Sequence, residues 1–153
     1  MRNQEANANS IDLIKMHWEG KRMPPAIQKQ VAQLEDELKF NRWSVMDSYD
    51  DKVKACVTHE YGHIIADQYF GQLNGKDANP NFATNPKLRE MNAKWEATFQ
   101  RAIDSGDIHN LSRYGRTNAR EFFAESFVAR EMGEKLPDYV ENLMKEVLKN
   151  GIM

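Results

Sequence analysis

Residues 51–70 read DKVKACVTHEYGHIIADQYF. The run has no proline and a single glycine, so nothing in it stops a helix of that length. Inside it stands His59-Glu60-Tyr61-Gly62-His63. The two histidines are four residues apart, so on a helix both imidazoles leave one face. That spacing suits two nitrogen ligands of one tetrahedral zinc ion. Glu60 borders the same face, three residues before His63. A carboxylate there can take a proton from metal-held water without being a ligand. Gly62 costs about 1 kcal/mol relative to Ala inside a helix, which predicts another backbone segment passing close by. Val53, Val57, Ile64 and Ala66 predict a helix apolar on more than one side, and therefore buried.

Working outward, Asp47, Ser48 and Asp50 offer N-caps. Phe40 to Met46 (FNRWSVM) is the best strand candidate. Further upstream, Pro24-Pro25 suits a helix start. Ile27, Val31, Leu34 and Leu38 then predict a one-sided helix to about Lys39. Residues 1–10 are polar and read as frayed, and the apolar patch Ile11 to Trp18 ends at Gly20.

Downstream, residues 71–85 (GQLNGKDANPNFATN) read as a loop. Pro86 starts a helix carrying Leu88, Met91, Trp95, Phe99 and Ala102, with Gly106 at the C-cap position. Residues 107–117 connect it to a helix capped by Thr117 or Asn118. That helix runs to about Met132, with Gly133 after it. Pro137 opens a last helix whose apolar face is Tyr139, Val140, Leu143, Val147 and Leu148. No repeat or low-complexity segment is present.

Zinc in a catalytic site takes a third protein ligand and keeps one position open. The extended pattern H-E-x-x-H-x-x-G-x-x-H fails, because position 66 is Ala and position 69 is Tyr. His17, His109 and a carboxylate from a second helix are the remaining options. Glu121-Phe122-Phe123-Ala124-Glu125 puts two acids on one face of a helix, while Phe122, Phe123 and Phe127 anchor it in the core. Glu121 as ligand and Glu125 behind a ligand histidine would use both acids. Two solvated acids are the plainer alternative. Tyr114 lies in the connection before that helix. A phenol near a metal can hydrogen-bond a developing oxyanion, although a tyrosine in a turn also serves simply for packing.

Thr58-His59-Glu60-Tyr61-Gly62-His63, together with Tyr114-Gly115-Arg116-Thr117-Asn118-Ala119-Arg120-Glu121-Phe122-Phe123-Ala124-Glu125, resembles the catalytic halves of the anthrax lethal factor-like zinc metallopeptidases. Related domains occur in phage head and other phage-encoded proteins. The likeness covers about residues 40–130, and its second segment is the more discriminating. It implies His59, His63 and Glu121 as zinc ligands, Glu60 as general base, Tyr114 as oxyanion stabiliser and Glu125 supporting a ligand from behind. The fold it implies is mainly α (α+β): a zincin-like helical domain with a small β-sheet over residues 40–153, preceded by an N-terminal extension and helix over residues 1–39; the single strand candidate departs from the family pattern and points to a sheet that is reduced or completed by a partner. The family's substrates are diverse and do not transfer; for this chain the expected substrate is a peptide or protein.

Composition sets the outer limits. The chain has 153 residues, 41% hydrophobic and 29% charged, which suits a globular protein with one core. Net charge is −2, so no global field argues for nucleic acid or an anionic membrane. The basic clusters are short: Lys21-Arg22 and the spaced Arg113, Arg116 and Arg120, which read as a solvated face. No apolar stretch is long enough to span a membrane, and no signal peptide begins the chain. The expected location is the cytoplasm or a phage particle, in a larger assembly or with flanking sequence missing. Cys56 is the single cysteine, so no intramolecular disulfide forms. It reads as a small buried residue rather than an inhibitory fourth ligand. Asp67 reads as solvated, and Trp18, Trp43 and Trp95 as core or cleft wall.

Three functions compete. A zinc peptidase uses Glu60 and Tyr114. A non-catalytic zincin-like module, for example a structural part of a phage particle, needs neither. An amidase acting on cell-wall peptide would use the same chemistry on a different amide.

Overall fold

The structure, a computed structural model, describes residues 2–74 and 85–151. Among them the secondary structure is helical throughout, so the protein is mainly α. The chain divides into two compact units, residues 1–41 and 42–153.

The first unit is a helix pair. Helix α1 spans Arg2–His17 and α2 spans Pro25–Glu37. Gly20, at φ +74°, makes the turn between them in a left-handed conformation that glycine adopts without strain. Ile11 and Val31 are buried, Asn7 Nδ2 donates to Glu37 Oε2 at 3.0 Å, and Lys15 pairs with Glu35. Residues 2–10, expected to fray, are helical. Ala6 and Ala8 favour the helix, no glycine or proline interrupts it, and Asn7 is tied to α2.

In the second unit α3 (Lys52–Asn74), α4 (Pro86–Ser105), a single turn α5 (Ile108–Leu111), α6 (Ala119–Glu131) and α7 (Asp138–Gly151) surround one core. α6 is its centre: every residue from Phe122 to Ala129 is buried. Trp95 of α4 packs on Phe123 with ring centroids 4.4 Å apart, and its indole N–H donates to Ala119 O. Val140, Leu143, Met144 and Val147 supply the buried face of α7. Asn85 caps α4 ahead of Pro86, and Gly106 closes it at φ +84°. Asn118 accepts from Glu121 N at 2.8 Å and so starts α6 at the residue before Ala119. The predicted loop begins late, because α3 continues to Asn74; residues 75–84 of that prediction lie outside the described residues.

The backbone segment expected close to Gly62 is there, and it is α6. A Cβ built there meets Ala124 Cα at 3.3 Å and Phe127 Cδ1 at 3.1 Å. The helix-propensity cost of glycine therefore secures a close crossing of α3 on α6. The burial expected around the rest of α3 is not found. Val53, Val57 and Ile64 are exposed, by 75%, 62% and 50%, and Cys56 is exposed as well. Burial falls on one face only, through Ala55, His59, Gly62, Ile65, Ala66 and Tyr69. Ala55, Gly62 and Ala66 let α3 approach closely there and Ile65 and Tyr69 fill the core beside them, while Val53, Val57 and Ile64 lie on the opposite side.

The strand expected over residues 40–46 is also corrected, and no strand exists among the described residues. Ser44 is extended, but Val45–Ser48 is a 3-10 turn. A capping box closes that turn: Met46 N donates to Ser44 Oγ, and Ser44 N donates to Asp47 Oδ2. The residues before it do find backbone partners, since Arg113 N donates to Arg42 O and Tyr114 N to Trp43 O. The partner segment then turns into a 3-10 helix at Tyr114–Arg116, so the pairing stops at two bonds.

Arg42 fixes this segment from the other side. Its guanidinium donates to Leu111 O, Ser48 Oγ and, through two nitrogens, to Glu134 at 2.6 and 3.0 Å. Tyr49 donates to Glu134 too, and burial with Glu134 beside it pushes the phenol up to about 12. Burial also pulls Glu134 upward, but Arg42 and Tyr49 outweigh it and hold the carboxyl below its ordinary 4.5. A lowered carboxyl stabilises the fold above the unfolded value and loses that stabilisation as pH falls through the folded value. Glu134→Gln is expected to cost roughly 1–2 kcal/mol at neutral pH, discounted for partial exposure. The deficit should shrink towards pH 3. Urea unfolding across that range checks it, and a deficit that does not change with pH contradicts it.

Candidate metal centre

The crossing of α3 on α6 brings four of the predicted site residues together. His59 Nε2 lies 3.0 Å and His63 Nε2 3.2 Å from the same oxygen, Glu121 Oε2. One ligand atom from each of these three residues falls within 4.8 Å of the others. The cluster includes neither His17 nor His109 nor Cys56; His109 Nδ1 lies 3.1 Å from Gly106 O instead.

Glu125 stands behind His59, with Oε2 3.2 Å from Nδ1. It is completely buried, which a lone carboxylate could not tolerate. Four groups satisfy it. Besides His59, Ser112 Oγ donates at 2.7 Å, Val45 N at 3.0 Å and Ser44 Oγ at 3.2 Å. Burial pushes its carboxyl up, but hydrogen bonds from His59, Ser112, Val45 and Ser44 outweigh that and hold it below the usual range. Ser112 is fixed in turn by Gly115 N. The 3-10 turn at Val45 and the connection before α6 thus both serve to seat one carboxylate.

Tyr114 lies against His59, ring centroids 5.6 Å apart, and Trp43 lies against Tyr114 at 6.4 Å. Burial and the negative charges of Glu121, Glu125 and Glu60 raise the Tyr114 phenol, which keeps it a donor. Glu60 is exposed, within electrostatic reach of that phenol.

Sequence reasoning missed Ser44 and Ser112. The pattern Ser44-x-x-Asp47 is a capping-box signal that could have located the first. Of the tryptophans, Trp95 is core and Trp43 is 56% exposed at the site. Asp67 is solvated as expected, yet it pairs with Arg120. Arg113 and Arg116 are half-buried.

The donor set fits a divalent cation. Both ring nitrogens of His59 face carboxylate oxygens, while a neutral imidazole has a single N–H. With Nδ1–H donating to Glu125, the Nε2 lone pair faces Glu121 and calls for a positive charge between them. The two carboxylates make the site electronegative: burial pushes the His59 pKa down, but Glu125 and Glu121 raise it overall. Two imidazoles and one carboxylate are nitrogen and oxygen donors of the kind zinc accepts.

A helical protein with a two-histidine, one-carboxylate cluster between two crossing helices is what fold and site define. Beyond that class, no family model, curated protein or solved structure matches the chain. Among the described residues no helix is long and apolar enough to cross a membrane.

Proposed function

We propose that His59, His63 and Glu121 hold one zinc ion and that this centre hydrolyses peptide bonds, in the manner of the lethal factor-like metallopeptidases that the sequence resembles. The observation that carries this reading is the convergence of two Nε2 atoms of α3 on Glu121 Oε2 of α6. When bound, zinc supplies a Lewis acid that acidifies water and polarises a carbonyl. Glu60, exposed beside the cluster, accepts the proton of the attacking water and returns it to the leaving amine. The Tyr114 phenol donates a hydrogen bond to the carbonyl oxygen as negative charge develops. Glu125 holds His59 in the tautomer that leaves Nε2 free to coordinate. A peptide or protein is the substrate, and a setting in a phage particle or the cytoplasm is part of the same proposal.

Zinc-loaded protein incubated with a mixed peptide library is the test. Cleavage products are expected, with turnover reduced roughly 10- to 1000-fold in Tyr114→Phe while KM changes little. No cleavage of any library by a zinc-loaded protein contradicts the peptidase and favours a structural module.

A further inference from the structure

The two histidines of the cluster differ in what stands behind them. His59 Nδ1 is backed by the Glu125 carboxylate. His63 Nδ1 instead lies 3.2 Å from a donor, Arg120 Nε, whose Nη2 is 3.3 Å from Asp67 Oδ2. This inference rests on the zinc centre proposed above. An imidazole that gives its Nε2 lone pair to a metal carries its hydrogen on Nδ1, and that hydrogen needs an acceptor. A guanidinium has no acceptor to offer. Asp67 follows His63 by four residues on α3, one turn further along the same face. It is already joined to the group that touches Nδ1.

We infer that Asp67 is the positioning residue for His63, accepting its Nδ1 hydrogen when Nε2 coordinates, and that Arg120 competes with the ring for that carboxylate. The ion pair of Arg120 and Asp67 is exposed, with side chains 61% and 63% accessible. Shifting it to another rotamer therefore breaks no packing. Both ligand histidines then share one design, each backed by a carboxylate. Glu125 is locked by four buried bonds, and Asp67 is held on a surface arginine that can release it.

The two residues consequently oppose each other, and zinc affinity reads the opposition directly. Competition with a chromophoric chelator should show Asp67→Ala binding zinc about 10- to 100-fold more weakly than the wild type. Asp67→Asn, whose amide oxygen still accepts, should recover part of that loss. Arg120→Ala should bind at least as tightly as the wild type. Melting in excess chelator confirms that the variants fold alike. Affinity within twofold of wild type in Asp67→Ala overturns the inference alone, as does an Arg120→Ala variant weakened as much as Asp67→Ala. A wild-type protein that binds no zinc overturns the centre and the inference together.

Discussion

Glu60→Gln is expected to keep zinc and lose peptide cleavage by about 10²- to 10⁴-fold, the usual contribution of a positioned acid–base group. Glu60 is exposed on α3 and is not one of the three clustered donors, so the amide leaves metal and fold untouched. What it removes is the ability to take a proton. Metal content, melting temperature and steady-state cleavage measured on the same preparation separate these effects. Cleavage within about tenfold of wild type would remove Glu60 from the chemistry.

The second large effect falls on stability. Glu125→Ala leaves Ser44, Val45 N, Ser112 and His59 Nδ1 facing a void where one fully buried carboxylate had accepted from all four. Uncompensated buried polar groups of this kind cost roughly 3–5 kcal/mol, a large share of the ~5–15 kcal/mol that holds a domain together. Denaturant unfolding in excess chelator isolates this loss from any lost zinc. Glu125→Gln keeps one acceptor oxygen and the shape, so it should lose less. A loss under about 1 kcal/mol in Glu125→Ala would mean that the network is slack.

Much of the second unit was legible because its signals are local. Pro86 and Gly106 bracket α4, Asn118 starts α6, and the phenylalanines at 122, 123 and 127 mark the buried helix that presents Glu121 and Glu125. Gly62 foretold the close approach of another backbone segment, though not which one, since a mid-helix glycine needs a packing reason. The failures have a common physical cause. The stretch around Trp43 reads as β by composition, but its partner at Arg113–Tyr114 turns away after two bonds, a fact that no local propensity contains. Likewise the valines of α3 suggested burial, whereas the buried face carries Ala55, His59, Gly62, Ile65, Ala66 and Tyr69 instead. Ser112 was invisible for the same reason: its importance comes only from lying beside Glu125 in space.

The central claim is that a carboxylate from α6 completes a zinc site begun by two histidines of α3. Zinc content of purified protein, compared between wild type and Glu121→Ala after dialysis, tests it most directly. About one zinc per chain in the wild type and far less in Glu121→Ala is the predicted result. A wild type free of zinc, or an alanine variant that retains as much as the wild type, would contradict it.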